Sequence, residues 1–509
     1  MARARKSAPA AAPTTAQRLA AALKSARDLM RKDKGLNGDL DRLPLLTWLL
    51  FLKFLDDHER EAEAAAVLAR KAHRPALEPP YRWRDWANRD GFTGDALLHF
   101  LTLDSAARPD GSIGPGLLPH LATLAASTDP RRRVVGKVSA DATVRMKSGY
   151  LLFDLCRLID GIRFQSAEEI STLGALYESM LKEMRDAAGD SGEFYTPRPV
   201  VKFIVKAVNP RLGELVLDPA CGTGGFLTEA FEHLKAQAGK AEDFRTLQAA
   251  SVRGQEAKPL PYLLGQMNLF LHGLEEPDIR DGNSLAVTLT ELTAADQADV
   301  ILTNPPFGGE EEAGVQNGFP ADRRTSETAL LFLQLIMRRL KPGGRAAVVV
   351  PNGTLFGDGV AARIKHDLLA KYHLHTVVRL PNGVFAPYTS IPTNVLFFDR
   401  TGPTADVWYY ELPPPAGAKQ YSKTKPIPFE AFADCLAWWP NRAENERAWK
   451  VSAAELTASG CNLDRKNPNA PADAAHRPPQ ELVASILEKE KRIADIIGEI
   501  KAILAEGKS

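Results

Sequence analysis

The chain has 509 residues, which at roughly 150 residues per domain is room for about three domains and a sizeable core. Its 64 Lys and Arg stand against 63 Asp and Glu, a net charge of +1, with 44% hydrophobic and 25% charged residues. The length excludes a peptide or knottin, and the charge balance excludes a polybasic chain held on nucleic acid by charge alone. Cys156, Cys221, Cys435 and Cys461 are far apart with no CxxC pair, which argues against a disulfide framework or a zinc ribbon and suits a reducing cytoplasm. The most apolar run, Leu43 to Leu55, is broken by Lys53 and falls short of the ~20 residues of a membrane span. The basic N-terminus lacks the apolar stretch of a signal peptide. A soluble, cytoplasmic protein with no membrane partner is expected.

Residues 1–16, rich in Ala, Pro, Thr and basic side chains, are expected to be a disordered tail. From 17 to 165, apolar residues recur at helical spacing, from Leu19, Leu23, Leu29 and Met30 through LLTWLLFLKFL to LLFDLCRLI, which predicts a mostly helical domain. Within it, the run Arg131 to Arg133 reads first as a solvated turn, with a phosphate contact as the alternative. From 166 to 440, short β-branched runs alternate with helical patterns: GELVLDPA, SVRGQEA, ADVILTNPPF, GRAAVVVPNG, HTVVRLPNG and TNVLFFDR. This alternation predicts an α/β fold with a doubly wound, mostly parallel sheet, and the nearly all-apolar runs suit strands covered on both faces. Residues 441–479, in a Pro-, Lys- and Trp-rich stretch, are expected to be an irregular connector. Residues 480–509 predict a last, coiled-coil-like helix, in which Leu482, Ile486, Lys489, Ile493, Ile496, Ile500 and Ile503 alternate four and three apart. Such a seam requires another helix, supplied by a partner or by this chain.

Two constellations carry chemistry. In the first, the apolar strand Leu215 to Leu217 runs into Asp218-Pro219-Ala220-Cys221-Gly222-Thr223-Gly224-Gly225, with a helix starting near Phe226. Glycines are required where a turn is tight and a ligand approaches backbone, and open α/β sheets bind ligands at the carboxyl ends of their strands. GxGxxG spacing and GxxxxGK[ST] are both absent, so a nicotinamide cofactor or a P-loop nucleotide fits poorly. One βα unit later, Glu256 ends the strand SVRGQE; a carboxylate there can accept two hydrogen bonds from a ribose diol. Taken alone, it is equally a helix-start acid. Asp281 in IRDGNSL either faces an adenine or belongs to a plain turn.

The second constellation is the strand Ala298 to Thr303 running into Asn304-Pro305-Pro306-Phe307. Proline ends strand pairing and fixes φ, so this turn is stiff. It would present the Asn304 amide oxygen and the Pro305 carbonyl as two acceptors, with Phe307 as a stacking surface. Two acceptors and a ring suit a planar amino group on an aromatic base.

DPACGTGGFL followed by NPPF resembles the S-adenosylmethionine-dependent amino methyltransferases of DNA, and the GEFYTPR segment resembles their third cofactor segment. With LLFLKFLDD and LGALYESML added, the chain from Ala16 to Ser509 is similar to the modification subunits of type I restriction-modification systems. The resemblance implies a Rossmann-like sheet, S-adenosylmethionine as cofactor, and methyl transfer to the N6 amino group of adenine in a specific DNA sequence. Under it, Glu193, Phe194, Tyr195, Thr196, Pro197 and Arg198, with Thr223, Gly224, Gly225 and Glu256, contact the cofactor. Asp218, Ala220, Gly222 and Asp281 complete the expected cofactor-binding set, while Asn304, Pro305, Pro306 and Phe307 handle the adenine. The base has to be flipped out of the duplex to reach such a turn. Implied partners are DNA with a flipped-out adenine, a specificity subunit that reads the target, a second copy of this chain, and optionally a restriction subunit. No metal is expected. Rival readings are a protein or RNA amino-group methyltransferase and a non-catalytic DNA-binding scaffold.

Overall fold

The computed structural model describes residues 15–70, 72–140, 142–162, 196–386, 389–469, 490–493 and 496–498. The N-terminal part is helical, as expected: α1 (Thr15–Met30), α2 (Asp39–Leu68), α3 (Trp83–Trp86), α4 (Asp95–Thr102), α5 (Leu117–Leu124), α6 (Pro130–Ser139) and α7 (Gly149–Asp160), with a small hairpin of β1 (Ala106–Ala107) and β2 (Ile113–Gly114). The apolar run Leu43 to Leu55 lies in α2 and is buried nearly all round, the fate of a helix that is apolar on every face. Lys53, buried within that run, is paired with Asp57 one turn on at 2.5 Å. Trp48, Phe51, Trp83, Trp86, Phe100 and Leu155 fill the core beneath it.

The run Arg131 to Arg133 corrects the sequence expectation. It is not a solvated turn but the first turn of α6, opened by Pro130 and capped by Asp129, whose carboxylate accepts the Arg131 and Arg132 N–H groups. Each guanidinium has a carboxylate partner brought from elsewhere in the chain: Glu59 at 3.4 Å, Glu78 at 2.9 Å and Glu276 at 2.8 Å respectively.

The second part is built on a sheet of nine strands among the described residues: β3 (Val216–Asp218), β4 (Val252–Glu256), β5 (Asp278–Asp281), β6 (Ala298–Thr303), β7 (Leu340–Pro351), β8 (His373–Arg379), β9 (Thr393–Asp399), β10 (Asp406–Glu411) and β11 (Ala448–Ser452). Their spatial order is β11-β10-β8-β9-β7-β6-β3-β4-β5. Every neighbouring pair is parallel except those made by β9 and β11, so the sheet is mostly parallel. Alternation along β6 and β7 sends Val300, Leu302, Ala347 and Val349 to one face and Ile301, Ala346, Val348 and Val350 to the other. The first face is covered by α8 (Arg198–Val208) and α9 (Gly225–Lys235), the second by α13 (Thr328–Arg339) and α14 (Val360–Lys371). Between these pairs lie α10 (Ala241–Ala250), α11 (Pro259–Leu271) and the short α12 (Ala313–Gln316), and near the end α15 (Ala433–Trp438) and α16 (Ala453–Ala458).

The stretch from 441 onward is a second correction. In place of an irregular connector, β11 pairs antiparallel with β10 and α16 follows it, while Cys461 and Leu463 are buried in the core. Its apolar residues are few and spaced among charges, so the strand exists because β10 offers an edge. Strands β5 and β10 lie outside the six runs from which the sheet is expected. The segment LGALYESML and the boundary near 165 lie outside the described residues, as does most of the expected C-terminal helix. Within that helix, 490–493 and 496–498 are helical, and Ile493 and Ile496 are 56% and 47% exposed.

One helix joins the two parts. Leu264, Met267 and Phe270 of α11 belong to the core of the helical part, with the Phe270 ring edge-on to Phe51 at 5.6 Å and Phe54 at 5.9 Å. Leu269 of the same helix packs into the core of the sheet. No helix among the described residues is long and apolar enough to cross a membrane.

Candidate active site

Strand β3 lies between β4 and β6, so the chain leaves the sheet's middle in opposite directions after β3 and β6. That topological switch opens a crevice at the carboxyl ends of the strands. Both chemical constellations end there: the glycine-rich turn after β3 and the Asn-Pro-Pro-Phe turn after β6.

Gly222 and Gly224 take φ of 53° and 77°, left-handed values that L side chains rarely adopt, and Gly224 caps the start of α9. A Cβ built on Gly225 would meet nothing within 4 Å, so the turn's open side is at Gly225. Glu256, the last residue of β4, is buried, and its carboxylate accepts the Gly222 N–H and the Lys258 N–H, each at 2.9 Å. A carboxylate has about four lone-pair sites, so these bonds leave it acceptor capacity for a ligand. Burial raises its pKa, opposed by these backbone N–H groups. Asp218 is fully buried at the end of β3, where its carboxylate accepts the Ala220 N–H at 3.1 Å. Burial pushes its pKa up to about 7. Cys221 is a packed residue of the turn whose thiol burial drives well above its ordinary range. Asp281 is exposed at the end of β5, in register with Glu256.

Of the GEFYTPR segment, Glu193, Phe194 and Tyr195 lie outside the described residues. Pro197 caps α8, and the half-buried Arg198 guanidinium donates to the Gly225 carbonyl at 2.8 Å and to the Thr228 hydroxyl at 3.2 Å. Burial lowers the Arg198 pKa to about 10. Thr196 reaches across to the other constellation: its hydroxyl accepts a hydrogen bond from Asn304 Nδ2 at 3.0 Å. The Asn304 Oδ1 is buried and has no hydrogen-bond partner among the described residues. Pro305 is buried, while Pro306 and Phe307 are half-buried. The Phe307 ring stands edge-on to Phe385 at 5.5 Å and 74°.

Several supporting residues gave no signal in the sequence. Asn268 of α11 donates to the Thr223 carbonyl at 3.0 Å, and the Ser284 hydroxyl donates to the Pro219 carbonyl at 2.6 Å, so two further segments grip the glycine-rich turn. Gly254 and Gly265 allow close packing: a Cβ on Gly254 would sit 2.8 Å from Cys221 Sγ, and one on Gly265 would sit 2.8 Å from Ile279 Cδ1. A lone Asn on an apolar helix, or a Gly inside a strand, marks such a role only after the neighbour is known. Groups of three or more His, Cys, Asp or Glu fit to hold a metal ion are absent among the described residues.

Comparison with known proteins agrees with this geometry. Residues 168–477 match the N-6 DNA Methylase family, and residues 19–103 match the HsdM N-terminal domain. The chain is 46% identical over 498 residues to the methylase subunit of the type I restriction enzyme EcoEI from Escherichia coli, covering 96% of this chain and 97% of that protein. It is 38% identical to the EcoKI methylase subunit of Escherichia coli strain K12, over 72% of this chain and 66% of that one. Among solved structures, a modification subunit assigned to a type I restriction enzyme of Vibrio vulnificus YJ016 superposes with a TM-score of 0.85 at 59% identity, covering 91% of this chain and 99% of that one. A chain from a structure on complex assembly and conformational transition of the type I restriction-modification system superposes with a TM-score of 0.74 at 40% identity, covering 97% and 99%. The chain belongs to the N-6 DNA methylase family, as a modification subunit of a type I restriction-modification system that methylates the N6 amino group of adenine in DNA.

Proposed function

We propose that S-adenosylmethionine lies over the glycine-rich turn, and that the target amino group is held by the Asn304 Oδ1 and the Pro305 carbonyl with the adenine ring on Phe307. The observation that carries this reading is the buried Asn304 Oδ1, which has no hydrogen-bond partner among the described residues. An unsatisfied buried acceptor costs free energy, and a donor from a substrate would relieve it. The residues also fit the cofactor: the open side of the turn is at Gly225, and Glu256 keeps acceptor capacity for a ribose diol. When bound, the cofactor supplies an electrophilic methyl group on a sulfonium.

The chain's own residues supply position. An exocyclic amino group is a poor nucleophile because its lone pair is delocalised into the ring. Accepting both of its N–H bonds favours a pyramidal nitrogen, whose lone pair then points in one direction. This is orientation and electrostatics, without a covalent enzyme intermediate. Stacking on Phe307, itself braced by Phe385, offsets part of the cost of taking the base out of the duplex.

The near-zero net charge and the C-terminal seam support a partner reading. Ile493 and Ile496 face solvent in the isolated chain, in keeping with a helix that pairs with a specificity subunit, in a complex that also holds a second copy of this chain and works on DNA in the cytoplasm.

The test is tritiated methyl transfer to DNA by the full-length chain co-expressed with its neighbouring specificity subunit, followed by location of N6-methyladenine. Asn304→Ala abolishes transfer and leaves S-adenosylmethionine affinity nearly intact. An Ala variant as fast as the parent refutes the role given to Asn304.

A further inference from the structure

We infer that Thr196 is a positioning residue for the target base, whose hydroxyl holds the Asn304 amide by its nitrogen, and that it is not a cofactor ligand. The inference rests on the reading of Asn304 given above and deepens it. The terminal torsion of an asparagine is broad and roughly two-fold, so nothing intrinsic to Asn304 decides whether its oxygen or its nitrogen faces a substrate. The Thr196 hydroxyl, 3.0 Å from Nδ2, accepts from the nitrogen, and Oδ1 stays buried with no hydrogen-bond partner among the described residues. An amide turned the other way would present two donors to an amino group, which also donates, and would repel it.

The backbone on both sides of this contact is stiff. Pro197 follows Thr196 and opens α8, whose Val200, Val201, Phe203 and Ile204 are fully buried. Pro305 and Pro306 follow Asn304. Proline fixes its own φ and restricts the residue before it, so Thr196 and Asn304 are both held in place. The two residues are 108 positions apart in sequence, and their contact joins the start of α8 to the end of β6. Two residues on, Arg198 binds the Gly225 carbonyl of the glycine-rich turn. Thr196 to Arg198 therefore divides its work: the guanidinium braces the cofactor turn and the hydroxyl braces the base turn. An orienting partner behind a ligand-contacting group is what keeps a site in productive geometry.

The experiment compares Thr196→Val, which keeps the shape and removes the hydroxyl, with Thr196→Ser, which keeps the hydroxyl, in the full-length chain co-expressed with its specificity subunit. Methyl-transfer kcat, KM for DNA, calorimetric S-adenosylmethionine Kd and Tm are read on the same preparations. Thr196→Val lowers kcat roughly tenfold while Kd and Tm stay at the parent's values, and Thr196→Ser restores kcat to within about threefold of the parent. An unchanged kcat in Thr196→Val overturns the inference. So does a rise in S-adenosylmethionine Kd as large as the fall in kcat, which makes Thr196 the cofactor contact that the family resemblance implies. A fall in Tm that Thr196→Ser does not repair overturns it in favour of a packing role. If Asn304→Ala keeps its rate, the reading of Asn304 fails first; if Asn304→Ala is inactive while Thr196→Val is normal, only the role of Thr196 falls.

Discussion

Glu256 and Gly222 are joined by a hydrogen bond of 2.9 Å from the glycine N–H to the carboxylate, so the last residue of β4 holds the turn that follows β3. Removing that carboxylate leaves the Gly222 and Lys258 N–H groups without their acceptor, at a cost of about 1–3 kcal/mol for a buried unsatisfied group. Glu256→Ala is therefore expected to lower Tm and to weaken S-adenosylmethionine binding by roughly tenfold or more, with Glu256→Gln between it and the parent because one oxygen remains. Calorimetry that finds the Ala variant binding as tightly as the parent removes Glu256 from the cofactor site.

Asp218 gives a pH-dependent expectation. Burial raises its pKa to about 7, above the ordinary aspartate value, so the folded state holds this proton more tightly than the unfolded chain does. Its contribution to stability is present in full below the unfolded pKa of about 3.9 and is lost as pH rises through about 7. Asp218→Asn removes that loss while keeping an oxygen for the Ala220 N–H. The Tm difference, Asn variant minus parent, should be near zero at pH 4, grow towards pH 7 and level off above it. A difference that does not change with pH contradicts the burial argument.

Two glycines separate packing from ligand space. Gly254→Ala drives a methyl to 2.8 Å from both Cys221 Sγ and Leu227 Cδ1 and should destabilise by about 1–3 kcal/mol, seen as a lower Tm. Gly225→Ala meets nothing within 4 Å and should leave Tm unchanged while weakening S-adenosylmethionine binding. At Gly224 a β-branched residue suffers first from the left-handed φ of 77°, since its Cβ would rest at an ordinary 3.5 Å from Gly265 Cα. Gly225→Ala with unaltered affinity places the cofactor elsewhere.

The shared helix α11 predicts coupling between the two parts of the molecule. Phe270→Ala deletes the ring that meets Phe51 and Phe54, and large-to-small changes of this kind cost about 3–5 kcal/mol. Because Asn268, two residues earlier, holds the Thr223 carbonyl, the same variant should also bind S-adenosylmethionine less tightly, though it touches no ligand. A lower Tm with unaltered affinity breaks the coupling.

What the sequence determined by itself is local in origin. Short β-branched and apolar runs mark β3, β4, β6, β7, β8 and β9; glycines at positive φ mark the turn after β3; and Asn-Pro-Pro-Phe is stiff wherever it occurs, because proline carries its own constraint. Tertiary structure decided what depends on a neighbour far along the chain. Strand β11 forms on the edge that β10 offers, and Arg131 to Arg133 are paired because Glu59, Glu78 and Glu276 come to them. Asn268 and Ser284 become clamps on the glycine-rich turn, and Phe385 a brace for Phe307, only once the helix and loops that carry them are packed. The contact that holds the Asn304 amide belongs to this second group: its nitrogen donates to a hydroxyl 108 residues upstream, which only the packed fold brings to it.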